Sequence, residues 1–97
     1  MQIRTADLGP MGRGSNMFRC GLIHSSGQVF IGTYGPQPGI IWQYSPDTGE
    51  LKHVAAPGEY QLDCMVEAPD GMIYIGTAYG GIVYRLDPAS GEVRSLG

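Results

Sequence analysis

The chain has 97 residues, of which 15% are charged, and its six basic and nine acidic side chains give a net charge of −3. Six scattered cations supply no basic patch for nucleic acid, and no apolar run approaches the ~20 residues that a membrane helix needs. Sixteen glycines and seven prolines spread along the chain argue against helix anywhere, since these are the two poorest helix formers.

The N-terminal stretch Met1-Gln2-Ile3-Arg4-Thr5 lacks the charged, apolar and small-residue succession of a secretion signal, so a cytoplasmic location is the default expectation. Ile3 to Leu8 reads as a short strand, followed by a loose Gly12-Arg13-Gly14-Ser15 linker. Residues 1–16 are therefore expected to form an N-terminal latch strand and linker.

From residue 17 onward the sequence says the same thing twice. Cys20-Gly21-Leu22-Ile23 and Gly27-Gln28-Val29-Phe30-Ile31-Gly32-Thr33 recur 44 residues later as Cys64-Met65-Val66-Glu67 and Gly71-Met72-Ile73-Tyr74-Ile75-Gly76-Thr77. Gly39-Ile40-Ile41-Trp42 through Gly49-Glu50 recurs 42 residues later as Gly81-Ile82-Val83-Tyr84 through Gly91-Glu92. A period in the forties, made of short apolar runs and glycine-rich turns, is the sequence signature of β-propeller blades.

In chain order, the first unit (17–58) predicts strands over 17–23, 28–34, 39–45 and 50–55. The second (59–97) predicts strands over 61–67, 72–78, 81–86 and 92–96. Ser25-Ser26-Gly27 and Pro69-Asp70-Gly71 mark hairpin turns, with proline setting φ and glycine supplying positive φ. The middle turn of the first unit, Tyr34-Gly35-Pro36-Gln37-Pro38, is two residues longer than its counterpart, as surface loops tolerate. Val29-Phe30-Ile31, Ile40-Ile41-Trp42, Met72 through Ile75 and Ile82-Val83-Tyr84 are apolar without alternation. A sheet with one wet face alternates, so these strands are expected to be covered on both faces. Cys20 and Cys64 hold equivalent places and neither has a second ligand at zinc spacing; both are expected to be buried free thiols, with Cys20 sharing a face with Phe18 and Leu22.

The pattern carried by Asp70-Gly71, Tyr74-Ile75-Gly76-Thr77, Gly81-Ile82, Tyr84 and Asp87-Pro88 through Ser90-Gly91-Glu92 resembles the repeat of streptogramin lyase-like and quinoprotein-like β-propellers. The resemblance implies four-stranded antiparallel blades and an all-β fold. It says little about function, because this repeat hosts lyases, dehydrogenases, sensors and scaffolds. A quinone cofactor would need stacking partners and a calcium site that are not recognisable here, so no cofactor is expected.

Propeller ligands sit over the central channel, which directs attention to Arg13, Asn16, Arg19 and Asp63, with Ser15, Glu59, Tyr60 and Gln61 alongside. Arg19 and Asp63 occupy equivalent positions and are expected to face each other between the units. They form either a buried structural ion pair or a site where Arg19 binds an anion such as a sugar carboxylate. Tyr34 and Tyr79, at the middle turns, are placed to contact a ligand. Of the two histidines, His53 reads as solvated, and His24 with Tyr34 is the best available acid–base pair. The remaining strand aromatics, Phe30, Trp42, Tyr44, Tyr74 and Tyr84, read as packing between units.

Two blades cannot close a propeller. The expected partners are copies of the same chain, three giving six blades or four giving eight, together with a small anionic or carbohydrate ligand; no nucleic-acid or membrane partner is expected. The expected function is a scaffold or small-ligand binding module closed by homo-oligomerisation. The alternative is a polysaccharide or lactone-type lyase active only in the assembled channel.

Overall fold

The computed structural model describes residues 17–35, 38–78 and 80–97. These form eight strands and no helix: β1 (Met17–Ile23), β2 (Val29–Tyr34), β3 (Ile41–Ser45), β4 (Glu50–Ala55), β5 (Gln61–Glu67), β6 (Ile73–Ala78), β7 (Val83–Leu86) and β8 (Val93–Ser95). Every pairing is antiparallel, and the strands make one curled, half-barrel sheet. Among the described residues no helix is long and apolar enough to cross a membrane. The N-terminal strand expected over Ile3 to Leu8 lies outside the described residues.

Within the sheet, β1–β4 and β5–β8 are two meanders of consecutive antiparallel neighbours. Their only shared backbone bridge in the ladders is Tyr34 of β2 with Gln61 of β5. The two registers coincide at an offset of 44. Cys20 faces Gly32, Gly21 faces Ile31 and Leu22 faces Phe30, just as Cys64 faces Gly76, Met65 faces Ile75 and Val66 faces Tyr74. Each hairpin also carries a bulge at the same place, between Phe18 and Cys20 and between Leu62 and Cys64. The hairpin turns close as their residues dictate, with Gly27 at φ 92° and Gly71 at φ 87° in the left-handed region.

Strands β3 and β7 begin at Ile41 and Val83, two residues later than the expected 39 and 81, and a threonine side chain bonds to the backbone just ahead of each start. Thr33 Oγ1 accepts from the Ile40 N–H at 2.9 Å, and Thr77 Oγ1 accepts from the Ile82 N–H at 3.1 Å. The threonine hydroxyl thus takes a backbone donor at the mouth of each middle turn, ahead of the first β2–β3 and β6–β7 ladder pairs.

The bulges correct one expectation about faces. An extra residue on β1 turns Phe18 away from Cys20; a Cβ at Gly21 would lie 3.3 Å from Phe18 Cζ, so Phe18 covers Gly21 instead. On β5 the same device points Leu62 and Met65 together at the first meander, where a Cβ on Gly32 would lie 3.0 Å from Leu62 Cβ and from Met65 Cε.

The core lies between the meanders. Phe30 and Ile41 from the first and Leu62, Ile73, Ile75 and Leu86 from the second are fully buried, with Tyr84 nearly so. Phe30, Leu22 and Gly32 face one way, and Leu62, Met65, Ile73 and Ile75 face back at them. Each fully buried aliphatic or aromatic side chain there contributes roughly 1.5–3 kcal/mol of transfer free energy. The opposite faces of the two meanders are not covered to the same degree: Phe18 and Ile23 on the first, and Cys64, Val66 and Val83 on the second, are exposed.

Candidate functional site

The N-terminal ends of β1 and β5 and the C-terminal end of β2 bring together four polar side chains. Arg19 Nε donates to Asp63 Oδ1 at 2.7 Å, and Gln61 Nε2 donates to the same oxygen at 2.7 Å. The Arg19 guanidinium stands 5.7 Å from the centroid of the Tyr34 ring, in cation–π range. The bulges position this cluster: the irregular step that follows Phe18 and Leu62 sets Arg19 and Asp63 at the edge of the interface.

Three of the candidate residues, Arg19, Asp63 and Tyr34, therefore meet, and Gln61 joins them. Arg13, Asn16 and Tyr79 lie outside the described residues. Of the two readings open for Arg19 and Asp63, an ion pair does form, but it is not buried. Its side chains are 44% and 37% exposed, so water screens the pair and it adds little to stability. Hydrogen bonds from Gln61 and then Arg19 hold the Asp63 carboxyl below its ordinary range. Arg19 commits only its Nε edge to Asp63. Its two terminal nitrogens make no hydrogen bond among the described residues, which leaves their N–H groups to serve another acceptor.

A second cluster ties the far end of the same interface. His24 is buried, its ring edge-on to Phe30 with centroids 5.9 Å apart. His24 Nε2–H donates to the Gly71 carbonyl at 2.7 Å, and Nδ1 meets Ser26 Oγ at 2.8 Å. Beside it, Ser25 donates to Glu67 twice, from N–H at 2.9 Å and from Oγ at 2.6 Å. The Ser25 hydroxyl is the main cause of the lowered Glu67 pKa, partly opposed by desolvation. Sequence reading missed both contacts, because His24 and Ser25 have no matching residue in the second unit that would have marked them.

This arrangement removes the acid–base pair considered from sequence. His24 follows the Ile23–Val29 end of the β1–β2 hairpin, whereas Tyr34 pairs with Met17 at the other end. His24 has both ring nitrogens engaged in holding the turn of the second meander. His53, on β4, is exposed as expected and stacks edge-on against Trp42 at 5.4 Å. Among the described residues no group of three metal-ligating side chains converges.

The cysteines differ from each other. Cys20 is half-buried, its Sγ donates to the Leu62 carbonyl at 3.1 Å, and burial pushes its thiol up to about 11. Cys64, expected to be buried as well, is an exposed free thiol. The reason is positional: Cys20 is roofed by the second meander, and nothing in the described chain roofs Cys64.

No protein-family model matches this chain, and no curated protein matches it in sequence.

Proposed function

We propose that the chain is a self-assembling β-propeller fragment, two blades long, that acts as a scaffold or small-ligand binding module once copies of it close a ring. Three copies supply six blades and four supply eight. The observation that carries this reading is the way the two meanders meet. They share one register and stack face against face through side chains, and each leaves large apolar side chains of its opposite face exposed, Phe18 and Ile23 on the first and Val66 and Val83 on the second. Exposed apolar side chains of this kind are a liability for an isolated chain and are covered by stacking on further units.

In this reading the binding function belongs to the Arg19, Asp63 and Tyr34 cluster. The guanidinium, with an aromatic face beside it and its terminal nitrogens unbonded among the described residues, suits a small carboxylate or an acidic sugar. The test of assembly is the solution mass by light scattering. Three or four times the 10.4 kDa of one chain supports the ring, and a folded monomer at micromolar concentration overturns it. Titration of the assembled protein with acidic and neutral sugars tests the binding function, with Arg19→Ala losing the response to the acidic one.

A further inference from the structure

We infer that successive copies join head to tail, the Phe18 and Ile23 face of one chain docking on the Cys64, Val66 and Gly76 face of the next, so that the contact between copies repeats the one between the two meanders. This rests on the ring reading and assigns the surfaces through which the ring forms.

The argument comes from comparing equivalent positions. In the chain, the face of the second meander that carries Leu62, Met65, Ile73 and Ile75 is buried on the face of the first that carries Cys20, Leu22, Phe30 and Gly32. The positions equivalent to the burying face are Phe18, Gly21, Val29 and Ile31, on the outer side of the first meander. The positions equivalent to the buried face are Cys64, Val66, Tyr74 and Gly76, on the outer side of the second. Both outer faces are thus apolar at the positions where their inner counterparts are apolar. Phe18 is 59% exposed, Ile23 77% and Val66 60%, against full burial of Leu62, while Ile31 on the Phe18 face is already buried within the chain.

Size is conserved across the exchange. A Cβ at Gly32 meets Cys20 Sγ, Leu62 and Met65, whereas a Cβ at Gly76 meets only Cys64 Sγ, at 2.9 Å. The seat that Leu62 fills on Gly32 is open on Gly76. Where the second meander offers Leu62 and Met65, the first offers a larger Phe18 and a bare Gly21, with the Phe18 ring lying over the glycine.

Charge and polarity match as well. Arg19 and Asp63 hold one equivalent position with opposite signs, so Asp63 of one chain meets Arg19 of the next just as it meets Arg19 of its own. Identical faces opposed by a two-fold axis would instead set Arg19 near Arg19. At the other end, Ser25 and Glu67 make a polar pair inside the chain. Their equivalents, Pro69 and Ile23, would meet between copies. Proline has no N–H and isoleucine no acceptor, so both partners change from polar to apolar together.

The test uses two single-face variants of the full chain in light scattering. Phe18→Asp spoils one face and Val66→Asp the other. Each alone should be monomeric, because every docking event needs one of each face. Mixed in equal amounts they should give a dimer that grows no further, since only one good interface can form. If Val66→Asp dimerises with itself, or if either variant alone reaches the wild-type mass, the head-to-tail assignment is wrong while the ring reading stands. A mixture that stays monomeric although wild type assembles has the same meaning. If wild type is itself monomeric, the ring reading falls and the docking with it. Ile23→Asp and Gly76→Leu form a second pair acting on the same two faces, and replace the first should either variant fail to fold.

Discussion

Gly32 of β2 and Leu62 of β5 touch so closely that no side chain fits between them. A Cβ on Gly32 would lie 3.0 Å from Leu62 Cβ and 2.8 Å from Cys20 Sγ. Gly32→Ala should therefore destabilise the chain by about 1–3 kcal/mol through overpacking. Gly76→Ala meets only the exposed Cys64 side chain, which can rotate away, and should cost the single chain less than about 0.5 kcal/mol. Denaturant titration of the two variants at high dilution checks the contrast.

The threonines at the middle turns give a second contrast in kind. Thr77 Oγ1 accepts from the Ile82 N–H and donates to the Ile82 carbonyl at 2.7 Å. Thr77→Val keeps the shape and removes both bonds, so a loss of about 1–3 kcal/mol is expected. Thr77→Ser, which retains the hydroxyl, should recover most of it, as thermal unfolding would reveal.

Acid should weaken the interface between the meanders. Asp63 and Glu67 both have carboxyls held below their ordinary range in the folded chain, by Gln61 with Arg19 and by Ser25 respectively. A lowered folded-state pKa contributes stability that is present above the unfolded pKa and is lost as pH falls through the folded one. Stability should therefore decline as pH drops below the usual carboxylate range. The decline should be shallower in Asp63→Asn and Glu67→Gln, which start less stable at neutral pH. A melting series from pH 7 to pH 3 measures the slope; an unchanged slope in both variants would contradict the assignment.

Thiol chemistry should separate the two cysteines. With its thiol pushed up to about 11 and bonded to the Leu62 carbonyl, Cys20 stays protonated and slow to alkylate at pH 8. Cys64 is open in the single chain and should react first. If copies dock head to tail, the contact covers Cys64, so its labelling should slow in wild type at assembling concentration and recover in Phe18→Asp. Mass spectrometry of the labelled protein distinguishes these outcomes.

The strand pattern was readable because turn chemistry marks it locally. The glycines, prolines and aspartates at the hairpins bound each strand to within one or two residues, and the unalternating runs of β2 and β3 signalled Phe30, Ile31 and Ile41 as buried. The bulges were not readable. A bulge slips pairing by one residue without requiring any residue type, and that slip is what sends Phe18 to the opposite face from Cys20. The Arg19–Asp63 contact was foreseeable from equivalent positions of opposite charge, but its exposure was not, since burial depends on what roofs the pair. Thr33 and Thr77 left a signal that periodicity alone passed over: the same hydroxyl follows the same Ile-Gly in both units. The His24–Gly71 and Ser25–Glu67 bonds left none, because each joins residues brought near only by the packing of one meander on the other.

Among the described residues the seam between the meanders has one strand-ladder pair, Tyr34 with Gln61, and one further backbone hydrogen bond, from the Gly39 N–H to the Glu59 carbonyl at 2.7 Å. Everything else that joins them is interdigitated side chains and a few polar bonds, so the join asks little of covalent continuity. Cleaving the chain in the connection between β4 and β5 should leave two halves that re-form the whole when mixed. A fold with such a joint can lengthen or shorten by whole modules, since adding one repeats a fit that already works.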